Sequence, residues 1–297
     1  MIIDGRRYAE ELKEELRTEL THTSGQAGIA TILVGEDKAA EVYQRRIDIN
    51  ARELGLVSRP ERLPADATLG QVIGKIAELD TDEAVTGILV LRPLPPHIPE
   101  AQVFAALPPL KDVEALHPVN AGLLSLGMPR FVPSTPASAF HMLDRYTQEA
   151  GRDLATAYDG VDIVLVGRSN NVGKPAAILG LQRNATVISC HKHTADAGRL
   201  AEHTRMADIL IIAVGVPELI TSELVSEGTI VIDIGINPVE QPDGSLRLVG
   251  DVDRSSVEPV AEAVSPVPGG VGPITDVWVL RNTVTAARLG ERVAALP

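Results

Sequence analysis

Short aliphatic runs alternating with stretches of helical periodicity constrain this chain more than any other feature. In the second half, residues 162–166, 185–189, 209–214 and 229–234 are β-rich and apolar, and a helical pattern over 172–182 separates the first two. In the first half, 28–34 and 87–91 are runs of the same kind, set among helical patterns over 8–20, 38–54 and 69–79. This alternation predicts an α/β fold with largely parallel sheets. A connecting helix is expected over 137–146, and a last helix from about 275 to 287 crosses back to the first half. With 297 residues the chain has material for about two domains, with a boundary near residue 138. Aromatic residues make up only 3%, so the cores must be built from Val, Ile, Leu and Ala.

Composition narrows the classes of function. Hydrophobic residues at 44% give a folded globular chain. A net charge of −13 sets aside nucleic acid and anionic membrane as main partners, but leaves room for a small anionic ligand held by local basic residues. Cys190 is the one cysteine, so no internal disulfide forms and a reducing compartment is expected. The opening Met1-Ile-Ile-Asp4 has no signal-peptide pattern, and no apolar run reaches about 18 residues. A cytoplasmic protein is expected, and no metal site.

Val161-Asp-Ile-Val-Leu-Val-Gly-Arg-Ser-Asn-Asn-Val-Gly-Lys-Pro175 reads as strand, glycine turn and helix start. Gly167 permits the turn, and Gly173 lets a helix N-terminus with unpaired N–H groups approach a phosphate. The glycine spacing is not G-x-G-x-x-G, so the strand–turn–helix context carries the reading. The next strand ends at Cys190-His-Lys-His-Thr194. Readers of NAD usually place an acid there; here the end is basic, and Lys192 with Arg168 can hold a 2′-phosphate. NADP is therefore expected over NAD, the alternative being a solvated strand end. The candidate cofactor set is Gly167, Arg168, Ser169, Val172, Gly173, His191, Lys192, Val214, Gly215 and Ile236. Asp233, beside it, either lines the same crevice or ties a local loop.

Ser265-Pro-Val-Pro-Gly-Gly-Val-Gly-Pro273 holds three glycines and three prolines in nine residues. Such a rigid wall, poor in side chains, suits a flat ring lying against main chain through Pro268, Gly269 and Gly270. The plainer reading is a stiff turn between a strand and a helix.

Further segments complete a pattern: Ile3-Asp-Gly5, Leu33-Val-Gly35, Tyr43, Gly87-Ile-Leu-Val90, Pro93-Leu-Pro95, Lys111-Asp-Val113, Pro133-Ser-Thr-Pro136, Val166-Gly-Arg-Ser169, Asp233-Ile-Gly-Ile-Asn237 and Gly250-Asp-Val252. With the Gly/Pro wall, in this order, they resemble the bifunctional methylenetetrahydrofolate dehydrogenase/methenyltetrahydrofolate cyclohydrolase family over nearly the whole chain. The resemblance implies two α/β domains with a folate-binding cleft between them, and usually a homodimer. Residues 1–138 plus 276–297 would form the substrate/catalytic domain, and 139–275 a Rossmann-like NADP-binding domain. Tyr43 and Glu114 take catalytic positions; Tyr43, Leu91, Glu114, Pro268, Gly269 and Gly270 take substrate-binding ones. The implied reaction is oxidation of 5,10-methylenetetrahydrofolate to 5,10-methenyltetrahydrofolate.

Several positions depart from the family pattern. The family lysine four residues after the tyrosine is Ile47, and the family glutamine is Leu91, followed by Arg92. The aspartate is Glu114, the glycine after it Ala115, and Asp276 and Trp278 replace small or apolar residues. Arg46 lies about 100° around the helix from position 47 and is not expected to stand in for the lysine. Hydride transfer needs alignment but no obligatory proton donor, whereas hydrolysis needs an activated water and proton traffic. Cyclohydrolase activity is therefore expected to be absent or severely weakened. Other readings stay open. Ala40, Tyr43, Ile47, Ala51 and Leu54 can be plain core packing, Glu114 can sit in a solvated loop, and His117 reads as structural. The chain can be a paralogue acting on a different substrate with the same cofactor, or a non-catalytic nucleotide-binding protein.

Overall fold

The computed structural model describes residues 1–23, 26–241 and 243–294. They fall into two compact units: one takes residues 11–134 and the chain from Asp276 onward, the other Met1–Glu10 and Thr135–Thr275. The first ten residues therefore join the unit that holds the nucleotide-type motif, not the other as expected. The reason is main-chain pairing: Ile3 N donates to Val264 O and Gly5 N to Gly269 O, each at 3.0 Å. The boundary expected at 138 falls between Ser134 and Thr135.

The chain opens with α1 (Gly5–Thr21), β1 (Gly28–Val34), α2 (Lys38–Glu53), β2 (Val57–Leu63), α3 (Leu69–Asp80), β3 (Gly87–Val90), α4 (Glu100–Ala105) and α5 (Pro118–Ser125). The three strands form a parallel sheet of order β2-β1-β3. β1 is central and buried at every position, which is why it carries no polar alternation. α2 begins where Asp37 accepts from Ala40 N at 2.8 Å, and α3 begins at a capping box of Thr68 and Gln71. β2 escapes the sequence pattern. Val57-Ser-Arg-Pro-Glu-Arg-Leu63 is polar and holds a proline, tolerated because β2 is an edge strand. Ile32, Val34, Val72, Ile76, Ile88 and Val90 build the core around α3 and this sheet.

The chain continues through α6 (Ser134–Glu149), β4 (Asp162–Val166), α7 (Gly173–Leu181), β5 (Thr186–Cys190), α8 (Lys192–Asp196), α9 (Leu200–Thr204), β6 (Ile209–Ile212) and β7 (Ile230–Asp233). Then come the antiparallel hairpin β8 (Asn237–Glu240) and β9 (Leu246–Val249), α10 (Arg254–Val257), β10 (Ala263–Val264) and α11 (Val271–Ala294). Five strands form a parallel sheet of order β10-β7-β6-β4-β5. β4 lies between β5 and β6, so the strand order reverses there. In open α/β sheets the crevice beyond the carboxyl ends at such a reversal is where ligands bind. Among the described residues no helix is long and apolar enough to cross a membrane.

Candidate functional site

The turn after β4 is built on Gly167, whose φ is +123°. A Cβ there would lie 2.3 Å from Ala213 O, so the loops leaving β4 and β6 touch main chain to main chain. Gly173 serves the same packing: a Cβ on it would meet Gly167 O at 2.2 Å. Ser169 Oγ accepts from the N–H groups of Val172 at 3.2 Å and Gly173 at 3.4 Å. Ser169, Val172 and Gly173 thus frame the turn, and the chain's own hydroxyl occupies N–H groups expected to face a phosphate.

Beside the turn is a cavity of about 610 Å³, lined by Gly167, Arg168, His191, Lys192 and His193 together with the aliphatic Val166, Leu200, Ala213, Val214, Val216 and Leu219. The basic run is not a strand end but the start of α8. His191 caps that helix, its Nδ1 accepting from His193 N at 3.2 Å. Desolvation, then the charges of Arg168 and His193, holds the His191 imidazole below its usual pKa. Guanidinium, ammonium and imidazole together with aliphatic side chains in one cavity fit a ligand that joins a phosphate to a flat ring.

Five expected members stand outside this lining: Ser169, Val172 and Gly173, which frame the turn, and Gly215 and Ile236. Ile236 is largely exposed, and Gly215 gives its N–H to Asp251 Oδ2 at 3.0 Å. Sequence reasoning missed Asp251. This fully buried carboxylate accepts from Val214 N at 2.7 Å, Val216 N at 3.0 Å and Asn237 Nδ2 at 2.9 Å, fixing the loop after β6. Asp233 ties a local loop: it accepts from Gly235 N at 2.9 Å, Asp251 N at 3.1 Å and Val252 N at 3.0 Å. Burial pushes its carboxyl up to about 7 despite these donors. The Gly250-Asp-Val252 segment was the available signal for this lock.

In the Gly/Pro segment, Pro268 is exposed while Gly269 and Gly270 are buried. A Cβ on Gly5 would fall 1.9 Å from Gly270 O, and one on Gly269 would touch the Arg6 guanidinium at 3.4 Å. Close approach of residues 5 and 6 is thus a packing reason for both glycines. The turn leads directly into α11, which begins at Val271, earlier than expected.

The second cluster surrounds Tyr43. The buried face of α2 is Ala40, Gln44, Ile47 and Ala51, so Tyr43 lies at the stripe's edge and is half-buried, a correction to the core-packing reading. Gln44, passed over in the sequence, occupies the interior and places its Nε2 near Thr31 O at 3.2 Å, Thr31 Oγ1 at 3.1 Å and Glu61 O at 3.1 Å. Ile47 and Leu91 are sealed, at 0% and 2% exposure.

Tyr43 shares a hydrogen bond with Ser134, and Ser134 Oγ donates to Glu114 Oε1 at 2.5 Å. Glu114 is therefore not in a solvated loop. Desolvation pushes its carboxyl up, while Ser134 and the charge of Arg92 pull it back. Desolvation, then the Glu114 and Asp276 carboxylates, pushes the Tyr43 phenol well above its ordinary range. The Glu114 loop is braced from below: Asp112 accepts from His117 N at 2.8 Å, Leu116 N at 3.1 Å and Asn120 Nδ2 at 2.9 Å. Ala115 takes a φ of +53° where the family has glycine. His117 is structural here: its Nδ1 accepts from Val119 N at 3.1 Å and caps α5.

Arg46 is engaged elsewhere than at the position of the family lysine. Its Nε meets Asp276 Oδ2 at 2.9 Å and its Nη2 meets Oδ1 at 3.3 Å, with the guanidinium 5.7 Å from the Tyr43 ring centroid. Spacing of i,i+3 puts it beside Tyr43 even though it is off the axis of position 47. An arginine does not exchange a proton near neutrality, so it supplies charge and shape only. Trp278, the other departure on α11, lies under the Arg281 guanidinium at 5.3 Å.

Residues 3–114 match the family model of the tetrahydrofolate dehydrogenase/cyclohydrolase catalytic domain, and residues 133–291 match that of its NAD(P)-binding domain. Bifunctional protein FolD 3 of Rubrobacter xylanophilus is 56% identical over 292 residues, covering 97% of this chain and 92% of its own. Bifunctional protein FolD 2 of Geobacter sulfurreducens is 45% identical over 291 residues, covering 97% of each. Among solved structures, the FolD methylenetetrahydrofolate dehydrogenase/cyclohydrolase of Campylobacter jejuni superposes with a TM-score of 0.87 at 36% identity, over 98% of this chain and 99% of that one. Trypanosoma brucei FolD, solved with NADP and an inhibitor, gives 0.89 at 33% identity over 98% of each chain. By matched domains, identity and superposition alike, the chain belongs to the tetrahydrofolate dehydrogenase/cyclohydrolase family.

Proposed function

We propose that this protein oxidises 5,10-methylenetetrahydrofolate to 5,10-methenyltetrahydrofolate with NADP, and that it hydrolyses the methenyl product slowly or not at all. The observation that carries the second half is the apolar seal at Ile47 and Leu91, the positions of the family lysine and glutamine. A water activated for hydrolysis needs two or more polar partners and a group that moves a proton. Neither side chain offers one, and the guanidinium of the neighbouring Arg46 is committed to Asp276.

NADP, when bound, supplies the hydride acceptor. Arg168 and Lys192 are the groups to hold its 2′-phosphate, and Val166, Ala213 and Val214 give an apolar wall for a ring. Tyr43, tied through Ser134, offers a ring face and a hydroxyl to the substrate; Glu114, its carboxyl pushed up by burial, can meet a ring edge as an acceptor, or as a donor when it carries a proton.

The test is direct. Purified protein is mixed with methylenetetrahydrofolate and NADP, then NAD, while reduced cofactor and methenyl product are followed together. Reduced NADP with persisting methenyl product is expected. Loss of the methenyl signal well above the rate without enzyme would overturn the hydrolytic claim. Cofactor binding without turnover would instead favour a different substrate. The observation behind that second reading is Glu114, one methylene longer than the family aspartate and already bonded to Ser134 at 2.5 Å.

A further inference from the structure

The departures at Asp276 and near Ile47 are not independent, because α11 and α2 meet through them. Asp276 has a side chain only 9% exposed, a position where a carboxylate needs a cation and hydrogen-bond donors. Arg46 supplies both through a two-pronged contact of 2.9 and 3.3 Å. Left to itself, a side chain 46% exposed would spend its time in solvent. Drawn to Asp276, the guanidinium comes to rest 5.7 Å from the Tyr43 ring centroid, within reach of a cation–π contact. Tyr43 is then held at both ends, by Ser134 at its hydroxyl and by Arg46 at its ring.

We propose that Arg46 and Asp276 act as one positioning pair for Tyr43, setting the ring that faces the substrate through a fork between α2 and α11. Neither residue touches the reacting atoms, and each works only through the other. The inference rests on the proposed reading that Tyr43 faces a folate-type substrate, and its test is arranged so that the two can fail separately.

The first measurement needs no substrate. The chain has four tyrosines, so with 3-fluorotyrosine incorporated the Tyr43→Phe variant assigns the fluorine line of Tyr43. Asp276→Asn and Arg46→Met should each move that line, and the double variant should move it no further than either alone. Lines unmoved by both variants would overturn the proposal whatever the substrate.

The second measurement is kinetic. Each single variant should raise the KM for methylenetetrahydrofolate roughly five- to twentyfold, leave kcat within about threefold, and leave the KM for NADP unchanged. The double variant should be no worse than the worse single, and Arg46→Lys, which keeps charge but loses the fork, should fall between. Effects that multiply in the double variant, or a loss confined to kcat, would sink the pair. If the unmodified protein fails to turn over this substrate, the functional reading falls while the fluorine experiment still decides the pair.

Discussion

At the scale of single residues, this protein sets burial against proton chemistry. Ile47 and Leu91 are closed off from water, while Glu114 and Tyr43 nearby are pushed toward their neutral forms by the same desolvation. If the hydrolytic step lacks only its groups, the double variant Ile47→Lys, Leu91→Gln should restore it in part. A lysine at 47 would be short of solvent, which lowers its pKa toward the range where it exchanges a proton. Methenyl hydrolysis at least about tenfold above the parent is expected, with Leu91→Gln alone giving none, since an amide cannot move the proton. The two polar groups should cost about 1–3 kcal/mol each, read as a lower Tm. A variant that folds, reduces NADP and still hydrolyses at the parent rate would show that the missing lysine and glutamine are not what limits the step.

At the scale of elements, the nucleotide-type motif works as a packing joint. α7 stands against the turn after β4 with no room between them. Gly173→Ala would place a methyl group 2.2 Å from Gly167 O and 2.7 Å from Arg168 Cα, and backbone cannot swing aside as a side chain can. The strain is on the order of 1–3 kcal/mol. Because Arg168 moves with the turn, NADP affinity should drop about tenfold or more, along with a lower Tm. Unchanged affinity in calorimetry would mean that the turn does not place Arg168. The same element shows what the sequence made legible. Gly167 could be assigned to a turn because strand, glycine and helix follow one another within one short stretch. β1 and β4 were visible because central parallel strands are apolar throughout. What stayed hidden depended on distant pairings. β2 looks like a loop until β1 is beside it, Gln44 looks like a surface residue until Thr31 and Glu61 are placed, and Arg46 looks idle until α11 brings Asp276. The basic run at 191–193 reads as a strand end in the sequence, yet it opens α8, because His191 caps the next turn.

At the scale of the whole molecule, proton binding couples folding to pH. Burial raises Asp233 to about 7 and Asp276 to about 6, and pushes Asp112 and Glu114 up as well. For a carboxyl raised on folding, the native chain holds the proton more tightly than the unfolded chain. Its contribution is full below the unfolded pKa and is lost as pH rises through the folded one. These four groups therefore favour the fold on the acid side of neutrality. The net charge of −13 acts in the same direction, because self-repulsion grows with each ionisation. Glu149, its carboxyl held down first by Arg7, opposes the trend on the acid side of the window, and His191, held down by desolvation and then by the charge of Arg168, opposes it within the window, but outside the core, where solvent screens the effect. Tm should therefore be higher at pH 5.5 than at pH 8, by about 5 °C or more. Asp233→Asn separates the local cause from the global one. The amide keeps the shape but turns an NH₂ toward backbone N–H groups from which the carboxyl oxygens accept, so Tm at pH 5.5 should fall by the equivalent of about 1–3 kcal/mol. It no longer titrates, so the decline toward pH 8 should flatten. A parent protein that grows more stable from pH 5.5 to 8, or a variant with an undiminished slope, would remove Asp233 from the account and leave only the overall charge.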